Sequence, residues 1–346
     1  MAIALCWRSS DRGLSWPHMP KAWLSLLLGW IVALAANGCG ADQRLLGRIS
    51  TLLSDAGFSG ADAADADAGD AESGDADGGD ALAGAWVPFG TVTLFAPLAP
   101  LTASQADPTM TADELELYFS SNPKTDWDIW LVQRPSKTGA WGTPSKVVEL
   151  SSDYLDETPE VSGDGLTIYL ASERPPGSLT AEHLWVSHRK LRTDLWDPPV
   201  QVTDFVGGDK DVSPSLQEEQ LIMVFASLHG SDWDLYQTTR ASTADLWGTP
   251  TPLTELNSPE FDWDPALYQD GRSIVFASRR LGTTNSLFYA TRAPVTSKFS
   301  VPQPATELNV NDDADPWLSN DGTHIVFDSR RGGGPIKIYE AYRSLP

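Results

Sequence analysis

The sequence predicts an all-β fold, a five-bladed β-propeller of four-stranded antiparallel blades that follows a disordered N-terminal tether. The chain holds 28 Gly and 25 Pro in 346 residues, a composition typical of short strands joined by many turns. Short alternating apolar segments such as LIMVFAS and SIVFAS recur after residue 85, and a repeat of about 50 residues built from such segments is typical of propeller blades. A proline marks each repeat, at spacings of 51, 55, 51 and 51 residues: Pro108, Pro159, Pro214, Pro265 and Pro316.

Two further markers keep the same register in every repeat. An acidic residue stands five positions after each proline, and a serine stands thirteen positions after it. An aromatic residue is followed four positions later by an arginine, and the first four arginines are followed seven positions later by another aromatic residue. Trp86 supplies a fifth copy of this second aromatic residue, ahead of the first repeat. So many residue types in register predict five equivalent blades over residues 86–346.

Each repeat divides into strands A to D, counted outwards from the ring axis. Strand A contains the marker proline, strand B ends at the serine, strand C leads to the arginine, and strand D follows the second aromatic residue. The acidic residue, often followed by glycine, suits the A–B hairpin turn. The first strand D, within residues 89–101, precedes any strand A, and the last repeat has no strand D after it. We therefore expect the N-terminal strand to complete the fifth blade and close the ring.

The N-terminal region is similar to the signal of a bacterial lipoprotein. An apolar segment over residues 22–36 is followed by Gly38 and Cys39. This pattern predicts a signal peptide over residues 1–38, with Met19 as an alternative start, and acylation of Cys39. A transmembrane helix is the alternative, but fifteen residues are short for a span of about 20. Gly40 implies, by resemblance to enterobacterial sorting rules, an outer-membrane anchor facing the periplasm or exported to the surface.

Residues 39–85 are rich in Asp, Ala and Gly and contain little apolar bulk. Such a segment cannot offset its own ordering entropy, so we expect a disordered, lipid-anchored linker. Asp75 to Gly78 also fit the start of a calcium loop, but the regular ligand spacing and the final bidentate carboxylate are missing. Only Cys6 and Cys39 are present, so no disulfide framework is expected in the folded part.

Charge and strand geometry predict a candidate binding face. The formal net charge of −23 argues against nucleic acid as a partner, because phosphate contacts need an excess of Lys and Arg. Strand A starts and B–C loops share one face of the ring, and tryptophans between carboxylates there suit stacking on a sugar or a partner side chain. The alternative is that Asp–Arg pairs fix the turns and the tryptophans anchor loops. The candidate residues are Asp107, Asp156, Asp211, Asp262, Asp313, Trp127, Trp233 and Trp263.

Two segments carry a resemblance to a known family. DETPEVSGDGLTIYLASER from Asp156 and DADPWLSNDGTHIVFDSRR from Asp313 resemble the WD-like repeats of TolB-type propellers, with the pattern Asp-x-x-Pro…Ser-x-Asp-Gly. The resemblance covers residues 86–346 and implies a periplasmic, protein-binding propeller. The separate N-terminal domain and the sixth blade of TolB have no counterpart, so the partner of TolB is not carried over.

The sequence contains no familiar catalytic motif, neither Gly-x-Ser-x-Gly nor His-Glu-x-x-His, and no phosphate loop or dinucleotide fingerprint. Residues repeated in every blade indicate scaffold. We therefore expect a non-catalytic, monomeric envelope protein that binds a protein or a glycan, without catalytic residues, cofactor or metal. The alternative is a glycoside hydrolase similar to five-bladed arabinanase-like enzymes, using acids such as Asp107, Asp211 and either Asp156 or Glu157. A central calcium ion held by the same aspartates is compatible with both hypotheses.

Overall fold

The computed structural model describes residues 86–123, 126–175, 181–204 and 208–345. They form five four-stranded antiparallel sheets, the propeller that the sequence predicts. The predicted signal peptide, the lipidation site Cys39 and the tether lie outside the described residues. In the described part of the chain, no helix is long and apolar enough to cross a membrane.

The strands are β1 (Thr93–Leu94), β2 (Gln105–Met110), β3 (Glu116–Ser121), β4 (Asp128–Gln133), β5 (Ser145–Lys146), β6 (Asp156–Val161), β7 (Thr167–Ser172), β8 (His183–His188), β9 (Val200–Gln201), β10 (Lys210–Leu216), β11 (Ile222–His229), β12 (Asp232–Thr239), β13 (Thr251–Pro252), β14 (Asp262–Tyr268), β15 (Ser273–Ser278), β16 (Ser286–Thr291), β17 (Gln303–Pro304), β18 (Asp313–Leu318), β19 (His324–Ser329) and β20 (Lys337–Tyr342).

The ring closes through strands from the two ends of the folded region. Blades one to four are β2–β5, β6–β9, β10–β13 and β14–β17, and the fifth blade combines β18–β20 with β1. β1 pairs antiparallel with β20, with Thr93 opposite Glu340 and Leu94 opposite Tyr339. The N-terminal strand is therefore the strand D of the last blade, which confirms the predicted closure.

An arginine stacked on an aromatic ring fixes the C–D turn of every blade. Each guanidinium carbon lies 4.1–4.5 Å from the ring centre. The Nε of each arginine donates to a carbonyl of its own A–B turn, as Arg189 does to Gly165 at 2.7 Å. The fivefold repetition shows that these arginines are scaffold. The pairs are Arg134–Trp141, Arg189–Trp196, Arg240–Trp247, Arg292–Phe299 and Arg343–Trp86.

The hydrophobic core is divided among the blades and centres on strand B. Every residue of β3, β7, β15 and β19 is buried. Phe119, Phe225, Phe276 and Phe327 occupy the same position of four different blades and are fully buried. Each contributes roughly 1.5–3 kcal/mol by leaving water. Stability is thus spread evenly around the ring, and the axis is left to polar residues.

A β-bulge interrupts strand A in every blade, at the residue before the marker proline. The A–B register shifts there in all five sheets. The residue at the bulge has a left-handed φ between 47° and 52°, a conformation that non-glycine residues adopt only where the surroundings enforce it. All five side chains line the cavity at the ring axis. The bulge residues are Asp107, Thr158, Ser213, Asp264 and Asp315.

Candidate functional site

The structure separates the aspartates of the predicted binding face into two groups that differ by two positions along strand A. Asp156, Asp211, Asp262 and Asp313 are the third residue before the marker proline, and we name them the strand-start aspartates. They are at most 2% exposed. Asp107 is instead the first residue before its proline and is a bulge residue. The equivalent strand-start position in the first blade is Gln105.

Three strand-start aspartates form the same buried latch. In the fourth blade, Asp262 accepts a hydrogen bond from Arg280 at 2.5 Å, and the same guanidinium donates to the carbonyl of Leu256. The second carboxylate oxygen accepts from the backbone and hydroxyl of Ser258. The latch therefore ties the end of strand D, the start of strand A and the end of strand B together. The corresponding ion pairs are Asp156–Arg174, Asp262–Arg280 and Asp313–Arg331.

The third blade builds a variant of the latch. Asp211 accepts from Ser227 at 2.7 Å, as in the second blade, but His229 stands where the latch arginine would be. His183 lies 3.7 Å from the other oxygen of Asp211, and His229 lies 3.3 Å from Ser227. These four strand-start aspartates thus have the structural surroundings expected of turn-fixing residues.

The bulge residues meet around the axis, and hydrogen bonds join four of them in series. The amide of Thr158 donates to Asp107 at 3.2 Å, and the amide of Ser213 donates to the hydroxyl of Thr158 at 3.1 Å. The hydroxyl of Ser213 donates to Asp264 at 2.8 Å. Asp315 lies beside both ends of this series and perturbs the pKa of Asp264 and of Asp107. Every blade contributes one residue to this group. The five side chains together form the floor of a cavity at the ring axis.

The carboxyl groups at this floor hold protons more tightly than ordinary aspartates. Burial raises the pKa of Asp264 to about 6, with a further contribution from the charge of Asp107. Burial and the neighbouring carboxylates raise the pKa of Asp315 and of Asp328 well above the usual range. Burial also raises the pKa of Asp107. Because these carboxyl groups are buried and interact with one another, they lose their protons at higher pH than ordinary aspartates do.

Above the floor is a cup, defined as the cavity of about 320 Å³ enclosed by the bulge ring and the B–C loops. Its carboxylates outnumber its two basic side chains, Arg279 and Arg330. Arg330 pairs with Asp312 at 3.2 Å, and Arg279 donates to Asn285 at 3.0 Å. Cavities lined by one sign of charge concentrate the field and attract ions of the opposite sign. The seven acids are Asp107, Glu157, Glu182, Asp264, Asp312, Asp315 and Asp328.

Two of the three predicted tryptophans line this cup. Trp233 and Trp263 lie 6.1 Å apart between ring centres, and both pack against a core cluster shared by the third and fourth blades. Trp233 lies within strand β12 and not in a B–C loop as the sequence suggested. Arg279 stacks on Trp263 at 4.7 Å. Trp127 precedes β4 in the first blade and does not line the cup. Trp233 and Trp263 therefore pack on the hydrophobic core and also line the cavity.

Asp328 is absent from the residues predicted from the sequence, and Glu157 is predicted only as a possible hydrolase acid, but the sequence distinguishes both positions from the other blades. Asp328 stands immediately before the strand B serine, where three of the other blades have alanine. Glu157 follows a strand-start aspartate, where the other blades have apolar residues. Burial, followed by the charges of Asp107 and Glu182, raises the pKa of Glu157 well above its ordinary value. Departures from the repeat, more than the repeat itself, mark the site.

The described residues give no support to a metal centre. Over residues 86–123, 126–175, 181–204 and 208–345, no group of three or more His, Cys, Asp or Glu side chains is arranged to hold an ion. The predicted alternative of a central calcium ion therefore finds no ligand set there. The Asp75 to Gly78 segment lies outside the described residues.

Comparison with known proteins identifies the fold and no closer relationship. No family model and no curated protein matches the sequence. The chain is similar to the endo-arabinase of Bacteroides thetaiotaomicron VPI-5482, with 15% identity, 73% of this chain and 98% of that chain covered, and a TM-score of 0.53. A thermostable family-43 glycoside hydrolase matches with 10% identity, coverage of 70% and 91%, and a TM-score of 0.51.

TolB of Acinetobacter baumannii also matches, with 14% identity, 58% of this chain covered and a TM-score of 0.40. This chain spans 43% of the length of that TolB. Similarities at such low identity establish a β-propeller and do not assign an activity. The function has to be argued from the cup itself.

Proposed function

We propose that the protein is a non-catalytic lipoprotein of the bacterial cell envelope whose propeller binds a cationic segment of a protein partner in the cup. The observation that supports this proposal best is the excess of seven carboxylates over two arginines in one cavity. Arg330 pairs with Asp312 and Lys210 pairs with Glu182, so five of the seven acids of the cup have no ion pair within the described residues. A Lys or Arg side chain entering the cup would replace the protons that Asp107, Asp264 and Asp315 hold. The resemblance to TolB-type repeats supports a protein partner.

The contacts among the carboxyl groups favour binding over hydrolysis. A glycosidase needs two carboxyl groups about 5–10 Å apart, with the sugar between them. Asp315 instead lies close enough to Asp107, Asp264 and Asp328 to perturb the pKa of each. The predicted acids Asp156 and Asp211 are buried in latches away from the cup.

Defined peptides test the proposal. Short oligolysine and oligoarginine peptides should bind the purified protein, with affinity that falls as salt screens the charges. Asp264→Asn should weaken binding about tenfold by removing a charge-assisted contact. Asp245→Asn removes the same charge from an exposed position outside the cup and should change binding little. Equal affinity of both variants would contradict the proposal, and salt-independent binding of neutral glycans that is lost in Trp263→Ala would assign the cup to a glycan.

The lipid anchor is tested separately. Cys39→Ser removes the residue expected to be acylated, and the variant should leave the membrane fraction and lose lipid labelling. Separating inner from outer membranes in the same experiment tests the proposed outer-membrane location. Unchanged membrane association and labelling would contradict the lipoprotein proposal without affecting the cup.

A glycoside hydrolase is the second candidate, and Glu157 is the observation that favours it. Its raised pKa and its place in the cup suit a general acid. Glu182 borders the same cavity and is the available second carboxylate. The test is incubation with arabinan and xylan oligosaccharides. Turnover that disappears in Glu157→Gln, a change that keeps the shape of the side chain, would replace the binding proposal with this one.

A further inference from the structure

The clefts between neighbouring blades offer an internal comparison, because the repeat places equivalent residues at each of them. Between the first and second blades the cleft is filled by an ion pair of the chain itself. Glu116 accepts from Arg189 at 2.6 Å and from Arg192 at 3.2 Å. The hydroxyl of Tyr118 donates to Glu116 at 3.1 Å, and Arg192 also pairs with Asp113.

Three other clefts are filled in different ways. Between the third and fourth blades, Ile222 and Val295 approach the same point beside Gly271. Between the fourth and fifth blades, Tyr289 stacks on Trp86 with ring centres 4.1 Å apart. Between the fifth and first blades, His324 stacks on Tyr342 at 4.2 Å and contacts Glu114 of the first blade at 3.2 Å. Side chains from both blades thus occupy each of these clefts.

The cleft between the second and third blades is different. The position of Glu116 is taken by Thr167, and the position of Arg192 is taken by Thr243. An open cleft of about 490 Å³ lies there, lined by Thr167, Tyr169, Arg240 and Thr243, among others. Two small hydroxyl side chains replace a large carboxylate and a large guanidinium, which accounts for the open space.

The groups that bind the ion pair in the first cleft are nevertheless retained in this one. Arg240 and Tyr169 stand where Arg189 and Tyr118 bind the carboxylate of Glu116. Tyr169 accepts from Trp247 at 3.2 Å, and Arg240 stacks on the same Trp247 ring at 4.2 Å, so both polar groups are held at one place. Asp164, which stands where Asp113 binds Arg192, also lines the cleft. In the described part of the chain, neither Arg240 nor Asp164 has an ion-pair partner within 4 Å.

We propose that this cleft binds a small zwitterion, with its carboxylate on Arg240 and Tyr169 and its cationic group towards Asp164. The ligand takes the places of the Glu116 carboxylate and the Arg192 guanidinium. A free basic amino acid and a basic residue at the C-terminus of a peptide both present this pair of charges. The site is separate from the cup, and this proposal does not depend on the proposed function.

Calorimetric titration of the purified protein with arginine, agmatine and pentanoate tests the proposal. Arginine carries both charges, agmatine lacks the carboxylate, and pentanoate lacks the cation. Arginine should bind at least about tenfold more tightly than either, because each charge-assisted contact contributes more than one factor of ten in affinity. The peptide Ala-Ala-Arg, with a free and with an amidated C-terminus, distinguishes a peptide end from a free amino acid.

Substitutions that copy the first cleft give the matched variants. Thr167→Glu supplies the carboxylate of Glu116 and should weaken arginine binding at least about tenfold by occupying Arg240. Thr243→Arg supplies the guanidinium of Arg192 and should weaken arginine binding by a similar factor from the other side of the cleft. It replaces Thr167→Glu if that variant does not fold. Thr251→Glu adds the same charge at an exposed position outside the cleft and is the control.

The reverse change, Glu116→Thr with Arg192→Thr, should create a second arginine site between the first and second blades. Absence of arginine binding to the unaltered protein would overturn the proposal. Binding that is as tight in Thr167→Glu and Thr243→Arg as in Thr251→Glu would overturn it as well.

Discussion

The strand-start aspartates and the bulge aspartates at the ring axis have opposite electrostatic surroundings. Asp262 is buried at the start of its strand and shares its oxygens between Arg280 and Ser258. Asp264, two residues later, lies at a bulge among other carboxyl groups, and its pKa is raised to about 6. Asp262 forms an ion pair with a positive charge and stabilises the fold. Asp264 lies beside negative charges, and the rest of the ring holds it in place. Position relative to the proline therefore decides the role of each aspartate.

The largest effect is expected where the repeated scaffold is broken at its closure. Deleting residues 86–99 removes β1 and Trp86, so β20 is left with an exposed edge and Arg343 loses its stacking partner. We expect aggregation or a loss of cooperative thermal unfolding. Deleting residues 55–80 instead should leave the melting temperature unchanged. Equal melting of the two deletion variants would contradict the closure of the ring by β1.

A smaller loss is expected when one latch is broken. Asp313→Ala leaves Arg331 without its buried carboxylate and should lower the free energy of unfolding by about 3 kcal/mol. Lys146→Ala breaks the more exposed pair with Asp128 and should cost less than about 1 kcal/mol. Denaturant titration measures both values. Similar losses in the two variants would show that the latch has no special structural role.

The scaffold of the propeller could be predicted from the sequence because its residues repeat in every blade. The proline spacing, the strand C arginines and Trp86 gave the number of blades and the closure of the ring. The same reasoning grouped Asp107 with the strand-start aspartates, because a β-bulge is not visible as a spacing and Gln105 occupies the corresponding position. The contributions of Glu157 and Asp328 depend on which side chains meet at the axis, and that follows only from the folded ring.

The carboxyl groups at the axis should make stability fall as the pH rises. Asp264 binds its proton more tightly in the folded state, so its contribution is complete below the ordinary pKa of 3.8 and is lost as the pH rises to about 6. Glu160, whose pKa burial raises from 4.5 to about 7, acts in the same direction at higher pH. The melting temperature should therefore be lower at pH 8 than at pH 5.5.

Asp315→Asn isolates the contribution of the axis to this pH dependence. The amide keeps the hydrogen-bonding shape but has no charge to repel Asp264 and Asp107. The variant should melt a few degrees higher than the unaltered protein at pH 8 and show a flatter dependence between pH 5.5 and pH 8. An unchanged slope would mean that the carboxyl groups at the axis do not interact with one another.

The most direct test compares Asp262→Asn with Asp264→Asn in one protein preparation at neutral pH, measuring both the melting temperature and the affinity for an oligolysine peptide. The two substitutions are chemically identical and lie two residues apart on β14. Asp262→Asn should lower the melting temperature and leave peptide affinity unchanged. Asp264→Asn should keep or raise the melting temperature and weaken the peptide about tenfold. The opposite pattern, or the same pattern in both variants, would contradict the division between a repeated scaffold and a functional axis.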